Sequence, residues 1–269
     1  MPPDLPLLPP KDAIAMTGAT GRVARLLRPV WGDAVRWRSR TDGPLRGALT
    51  GCRAVVALGG VTSGDATALA GNTLAALEAV AAARADGVPR VLVISSSAIY
   101  GRQAGPLTED LAPSPANAYG VAKADMEAEI GRLPPGGPEV CILRLGNVAG
   151  ADALLGKLAD APPRLDTFPD GATPMRNYLG PESLGRLLLA LALHPSPLPD
   201  VLNLGAPDRV AMGDLLRAAG RDWVAVTAPA SALRDVALDT TRLGALLPLT
   251  PQMSDPARMI AEWRRATAR

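Results

Sequence analysis

Residues 13–24 read Ala13-Ile14-Ala15-Met16-Thr17-Gly18-Ala19-Thr20-Gly21-Arg22-Val23-Ala24, and this stretch decides the fold. A short apolar strand, Ala13 to Met16, runs into a turn built on two glycines, and a helix-like run follows from Arg22 to Leu27. Gly18 at the strand end permits the tight turn. Gly21 lets a pyrophosphate approach the backbone, and the helix behind it offers free N–H groups and the positive end of its dipole. Ala24 is small enough for the helix to lie close to the strand. On this reading Gly18, Thr20, Gly21, Arg22 and Val23 form a dinucleotide-binding loop.

The chain on either side fits that reading. Short apolar runs alternate with helical stretches, which predicts a parallel α/β sheet. Further strands are expected at Ala34 to Arg40, Arg53 to Leu58, Val91 to Ser95, Glu139 to Leu145 and Val201 to Leu204. Helices are expected at Ala66 to Ala85, Asn117 to Ile130, Leu184 to Leu193 and Pro256 to Ala268. The fold class is therefore α/β, a doubly wound parallel sheet of Rossmann type with a small C-terminal substrate lobe. Residues 12–150 would form the dinucleotide-binding core. Residues 151–269 would be mostly lobe, with some elements returning to the core, all within one integrated domain. No internal repeat is visible.

Composition narrows the function. Of 269 residues, 48% are hydrophobic and 20% charged, enough for a core and too apolar for global disorder. Lys and Arg number 28 against 26 Asp and Glu, a net +2, so neither nucleic acid nor a membrane surface is an expected partner. Cys52 and Cys141 stand far apart in apolar runs, which reads as buried strand thiols rather than a disulfide or a metal site. One histidine, His194, leaves little scope for a Ser-His-Asp triad. No run approaches the roughly 18 apolar residues of a membrane span, and the Pro- and Leu-rich stretch Met1 to Pro10 lacks the pattern of a signal peptide. A cytoplasmic enzyme is the expectation.

A dinucleotide site of this kind usually carries an acidic residue at the end of the second strand, for the ribose 2′-hydroxyl. Here that strand reads Val35-Arg36-Trp37-Arg38-Ser39-Arg40. Arg38 and Arg40, with the Ser39 hydroxyl, could pair with a 2′-phosphate, so NADP is expected over NAD. The competing reading makes the arginines charge on a solvated or edge strand.

Three further motifs follow in order: Ser95-Ser96-Ser97-Ala98-Ile99-Tyr100-Gly101 after a buried strand, Tyr119-Gly120-Val121-Ala122-Lys123 on a helix, and Arg144-Leu145-Gly146-Asn147-Val148-Ala149-Gly150 after the next strand. Together with the loop they resemble the extended short-chain dehydrogenase/reductase superfamily, in particular the NAD-dependent epimerase/dehydratase family. The likeness continues through Gly71-Asn72-Thr73, Arg176-Asn177-Tyr178-Leu179, Val201-Leu202-Asn203-Leu204-Gly205 and Thr241-Arg242-Leu243, and so spans roughly residues 12–268.

The chemistry can be argued beside the resemblance. Tyr119 and Lys123, four apart on a helix, share a face. A phenol titrates near about 10, and a neighbouring ammonium should lower that and favour phenolate. Tyr119 would then exchange a proton with a substrate hydroxyl while hydride moves to or from nicotinamide. The resemblance assigns the catalytic hydroxyl to Ser96, with Ser97 as the fallback at the substrate. It also places Lys123 on the nicotinamide ribose, Leu58, Gly59, Gly60 and Asn72 along the cofactor, and Asn147 and Arg176 at the substrate. Arg176 reads either as an anion clamp or as a surface arginine, and Tyr178 as packing.

The sequence departs from the family in three places. Thr41 to Gly51 is short for the family's third strand, whose aspartate touches adenine, and Asp42 is the only acid available; without that strand, strand two becomes a sheet edge. Ser97 and Ala98 stand where dehydratases carry an Asp-Glu pair, so dehydration is not expected. Ala151 to Met175 is short for a lobe that wraps a nucleotide diphosphate, which implies a smaller substrate or a more open site. The expected activity is NAD(P)-dependent interconversion of a secondary alcohol and a carbonyl on a sugar-like or other small substrate. Sugar epimerisation is the alternative, and a non-catalytic NADP-binding sensor is the alternative from another class. The resemblance leaves a homodimer open, with the Ala-rich helix from Ala66 to Ala85 as its surface.

Overall fold

Strands that must be buried on both faces read as continuous apolar runs rather than alternating ones. In the computed structural model, which describes residues 5–156 and 161–268, the central strands follow that rule. Residues 1–4 of the proline-rich lead-in lie outside the described residues. The chain begins β1 (Ile14–Thr17), α1 (Arg22–Trp31), β2 (Arg36–Arg38), β3 (Ala54–Ala57), α2 (Ala66–Ala85) and β4 (Arg90–Ser96). It continues β5 (Pro106–Leu107), α3 (Ala118–Gly131), β6 (Glu139–Leu145), β7 (Asn147–Val148), β8 (Arg164–Thr167), β9 (Met175–Arg176), β10 (Tyr178–Leu179) and α4 (Pro181–Ala192). The last elements are β11 (Val201–Leu204), β12 (Val210–Ala211), α5 (Met212–Ala218), β13 (Val224–Thr227), β14 (Asp235–Leu238), α6 (Thr241–Leu246) and α7 (Pro256–Thr267).

Six strands form one sheet in the order β11-β6-β4-β3-β1-β2, and every pairing is parallel. Alternate residues feed two cores. Ile14, Met16, Val56, Leu92 and Cys141 point to the side packed by α1, α4 and α7, while Ala15, Val55, Ala57, Val93 and Ile142 point to α2 and α3. Elements after residue 180 (α4, β11, α7) thus close the same core that β1 opens. By length and hydropathy α2 matches a membrane span, but its Leu69, Ala76, Ala79, Val80 and Ala83 are buried against the sheet and α3. The chain moves from β1 outward to β2 and then back past β1 to β3. That reversal opens a crevice at the carboxyl ends of the strands, where ligands bind in sheets of this kind.

Strand two is the sheet edge, and residues 43–52 carry no third strand. A loop takes its place. Arg36 donates to the carbonyls of Ala48 and Thr50 at 2.9 and 3.0 Å, and the Asp86 carboxylate accepts from the backbone N–H of Gly47 and Leu49, both at 2.8 Å. The arginine therefore ties down the covering loop rather than standing free as edge charge. Strand two is also shorter than expected, because a 3-10 turn occupies Gly32–Ala34.

The lobe is made of small sheets: β12-β9-β14-β5, β10 with β7, and β13 with β8. These strands, α5 and α6 were not expected from the sequence. Both cysteines are buried and free; Cys141 lies in β6, where burial pushes its thiol up to about 12, whereas Cys52 lies in the loop before β3 and not in a strand. His194 is hydrogen-bonded to Ser196 past the end of α4 and is not part of the cleft described next.

Candidate active site

The crevice at the strand ends is a cleft of about 700 Å³. One rim is the glycine loop. Gly18 has φ +70, and a Cβ there would lie 2.8 Å from the Gly59 backbone, so the β1 and β3 turns touch through two glycines. Gly21 precedes α1, no side chain among the described residues caps the helix, and its first turn holds no acid. Its N–H groups and dipole end therefore face the cleft unopposed, which suits an anion. Thr17 Oγ1, at the end of β1, is buried and has no hydrogen-bond partner among the described residues. These features fit a dinucleotide whose pyrophosphate lies on the loop. Arg22 and Val23 line this rim, and Arg22 Nη2 donates to Thr62 Oγ1 at 2.9 Å across it. Thr20 shapes the loop from outside the lining; its carbonyl accepts from Arg25 Nε at 3.0 Å.

After β3, Leu58 and Gly60 line the cleft, with Gly59 behind them against Gly18. Asn72 is fully buried. Its amide accepts from Val61 N–H at 3.2 Å and donates to the carbonyls of Val61 and Leu69 at 3.1 and 2.8 Å. It lines the cleft, but its polar atoms are occupied in holding the loop at 60–61.

The opposite wall carries the hydroxyl, phenol and ammonium groups that the sequence marked as candidates. Ser96 ends β4, and its hydroxyl caps the 3-10 turn Ser97–Tyr100 by accepting from Ala98 N–H. Asn117 caps α3 by accepting from Gly120 N–H at 2.8 Å. A Cβ on Gly120 would come within 2.6 Å of the Ala98 carbonyl oxygen, so only glycine lets the first turn of α3 reach the serine turn. This contact sets the Tyr119 phenol beside the Ser96 hydroxyl. Ser96, Ser97, Tyr119 and Lys123 all line the cleft.

The electrostatics differ from the expectation. The Tyr119 phenol lies above its ordinary value of 10, because burial outweighs the nearby Ser96 hydroxyl and the positive charge of Arg22. Lys123 is not the cation acting on it. The Lys123 ammonium turns to the strand, donating to the Ile94 carbonyl at 2.8 Å, and burial draws it down from 10.5 to about 8 against the opposing charge of Glu127. The shared helix face is as predicted; the acidification of one group by the other is not found.

At the far end of the cleft, Asn147 and Arg176 line the wall with Asp152, Leu233 and Val236. Arg176 is no free anion clamp: it donates to the carbonyls of Met175 at 2.7 Å, Leu233 at 2.8 Å and Arg234 at 3.3 Å, strapping the 233–234 turn to the site. Tyr178 is fully buried and donates to Asp152 Oδ2 at 2.6 Å, which agrees with a packing role. Burial raises the Asp152 carboxyl despite that hydrogen bond and those from neighbouring backbone N–H groups.

The 2′-phosphate cradle expected at the end of β2 is not assembled. Arg38 Nη2 donates to the carbonyls of Asp42 and Pro44 at 2.7 and 3.4 Å, and its buried Nε has no partner among the described residues. The Ser39 hydroxyl pairs with Thr41, Ser39 N–H with the Asp42 carboxylate, and Arg40 is exposed. Arg38, Ser39 and Arg40 are absent from the cleft wall. Sequence reasoning missed Thr17, Thr62 and Asp152. The first two adjoin glycine turns at strand ends, a usable signal, whereas nothing in the sequence marks Asp152.

Residues 39–164 match the model of the NAD dependent epimerase/dehydratase family. UDP-glucose 4-epimerase of Corynebacterium glutamicum is 30% identical over 161 residues, which are 51% of this chain and 49% of that protein. The chain thus spans about half the length of the curated relative it matches. Among solved structures, UDP-glucuronic acid 4-epimerase from Bacillus cereus in complex with UDP-glucuronic acid and NAD superposes with a TM-score of 0.73 at 18% identity, covering 95% of this chain and 99% of that one. UDP-N-acetylglucosamine 4-epimerase from Methanobrevibacter ruminantium M1 superposes with a TM-score of 0.75 at 15% identity, covering 96% and 97%. At such identities these two structures speak for the fold alone. The resemblance read from the sequence is upheld, over the matched segment for the family and over nearly the whole chain for the fold.

Proposed function

Because residues 39–164 carry the segment of the NAD-dependent epimerase/dehydratase family, we propose that this protein is an NAD-dependent enzyme acting at a secondary alcohol of a sugar-like substrate, and that it works as an epimerase. The observation that carries this reading is the meeting of Ser96, Tyr119 and Lys123 on the cleft wall facing an uncapped helix N-terminus. Bound NAD would supply the hydride acceptor and donor. Tyr119 takes the proton from the substrate hydroxyl and returns it. Ser96 holds the reacting oxygen and spreads its charge. Lys123, with the loop held by Asn72, receives the nicotinamide ribose, while Arg22 and the first turn of α1 receive the pyrophosphate. Ser97, Asn147 and Asp152 orient the substrate.

The two activities read from the sequence change order here. Net oxidoreduction came first, but the curated relative that aligns with half of this chain is a sugar epimerase, and this favours returning the hydride to the other face. NAD replaces NADP as the proposed cofactor, because Arg38 and Ser39 are engaged within their own loop and the matching family model is that of NAD-dependent enzymes.

Acid release and chromatography of the dinucleotide from purified protein test this. An epimerase retains NAD through dialysis and interconverts UDP-glucose and UDP-galactose, the first sugar pair to try. Empty protein that exchanges freely with NADPH contradicts the reading and restores a reductase. We also propose a homodimer across α2 and α3, where Leu74 and Val121 are 67% and 45% exposed beside a groove between the helices. Light scattering should give twice the chain mass, and Leu74→Glu should halve it. The buried, unpaired thiols fit a reducing compartment, and we place the protein in the cytoplasm.

A further inference from the structure

Three consecutive residues of β4 are met by three residues on one face of α3. The Ile94 carbonyl accepts from Lys123 Nζ, the Ser95 hydroxyl donates to Glu127 Oε1, and the Ser96 hydroxyl lies beside Tyr119. Tyr119, Lys123 and Glu127 are four residues apart in turn, so they form one row along the helix. Two of these pairs belong to the reacting set. The third, Ser95 with Glu127, is used by no step described so far.

Glu127 is held from the far side as well. Arg144 of β6 donates to its Oε2 through Nη2 at 2.9 Å and through Nε at 3.2 Å. The two side chains are only 5% and 7% exposed. Arg144 is itself fixed, since Nη1 donates to the Tyr100 hydroxyl at 3.0 Å and to the Glu109 carbonyl at 2.9 Å. A carboxylate held in this way from both sides is fixed in place.

We propose that Glu127 is a positioning residue for the catalytic set: pinned between Ser95 and Arg144, it fixes α3 against β4 and provides the buried negative charge that keeps the Lys123 ammonium in its charged form. The charged groups around Lys123 are Glu127 on its own helix and Arg144 behind it on β6; β4 contributes only the Ile94 carbonyl, the loop after β3 presents neutral Asn72 and Gly60, and Arg22 of α1 acts on Tyr119 across the cleft. Without the Glu127 charge, Lys123 would lose the carboxylate that offsets its burial, and a cation is then hard to retain. This proposal rests on Lys123 belonging to the reacting set, but its test needs no turnover.

The chain has three lysines, Lys11, Lys123 and Lys157, so protein grown with lysine labelled by ¹³C at Cε gives three side-chain signals. Lys123→Arg identifies the relevant one by its loss. In the unsubstituted protein its midpoint should fall near 8. In Glu127→Gln it should drop by about one pH unit or more, and in Glu127→Asp it should stay within about half a unit. Should Glu127→Gln not fold, the neutral pair Glu127→Gln/Arg144→Gln carries the test, with a smaller drop expected. An unchanged midpoint overturns the proposal. So does a rise toward the ordinary lysine value of about 10.4, which would mean that the substitution merely loosened the site. Either result leaves the roles of Ser96 and Tyr119 standing, since those depend on proton transfer at the phenol.

Discussion

The two ends of the cleft are built on different principles. The dinucleotide end is mostly backbone: the end of β1, the turns at Gly18 and Gly59, and the open first turn of α1, all within a few residues of one another in the chain or across adjacent strands. The substrate end is mostly side chain, gathered from residues 147, 152, 176, 233 and 236 on short strands and turns of the lobe. The first end is set by local geometry that any chain with those glycines must adopt. The second depends on long-range packing, so its chemistry can change while the fold stays the same.

Substitutions that separate the two ends test this contrast. Tyr119→Phe removes the proton but keeps the ring, so hydride transfer should fall about 10³-fold while NADH affinity, read by fluorescence titration, stays within about twofold. Equal loss of both would mean that Tyr119 serves binding rather than chemistry. Next in size is Gly18→Val, which places a branched side chain at φ +70 and a Cβ against Gly59. It should weaken NADH binding by more than about tenfold and lower the melting temperature.

Lys123→Met gives a smaller effect, opposite in sign for stability. A buried ammonium drawn down to about 8 costs folding free energy wherever it is charged, so the folded protein binds fewer protons than the unfolded chain between that value and the ordinary one. Stability from this group therefore rises as pH climbs from about 8 toward about 10.4, and it should be least below that window. At pH 7, Lys123→Met should raise the melting temperature while lowering turnover. Unfolding scans of both proteins across pH 6–10 check it, and the gap should close at the alkaline end. Smallest of all, Arg38→Ala should leave the ratio of NADH to NADPH affinity unchanged, because that guanidinium already serves the carbonyls of Asp42 and Pro44. A large loss confined to NADPH would reinstate the 2′-phosphate reading.

What could be read from the sequence follows the same division. The bounds of α2 and β6 came directly from composition and punctuation, because Ala/Leu runs closed by Asp86-Gly87 and an apolar run after a Pro-Gly turn have one local solution. Tyr119 and Lys123 were marked by their shared helix face and Ser96 by the resemblance, and all three line the cleft. The engagement of the β2 arginines was not legible because their partners, the carbonyls of 42–50, belong to a loop that replaces a strand, and charge alone does not reveal what a guanidinium will find. Arg176 misled for the same reason. The effect of Lys123 on Tyr119 was inferred from spacing, but which way an ammonium turns is decided by the Ile94 carbonyl, a backbone group on another element. Lobe strands of two residues, such as β9 and β10, are too short to show a period.

A crystal structure of the protein with NAD bound tests the central claim most directly. The account predicts the pyrophosphate on the first turn of α1 beside Arg22, Lys123 Nζ on the nicotinamide ribose, and the reactive carbon of the ring within about 3.5 Å of a substrate carbon whose oxygen touches Tyr119 and Ser96. A nicotinamide ring lodged away from Tyr119, or a pyrophosphate off the glycine loop, would contradict it.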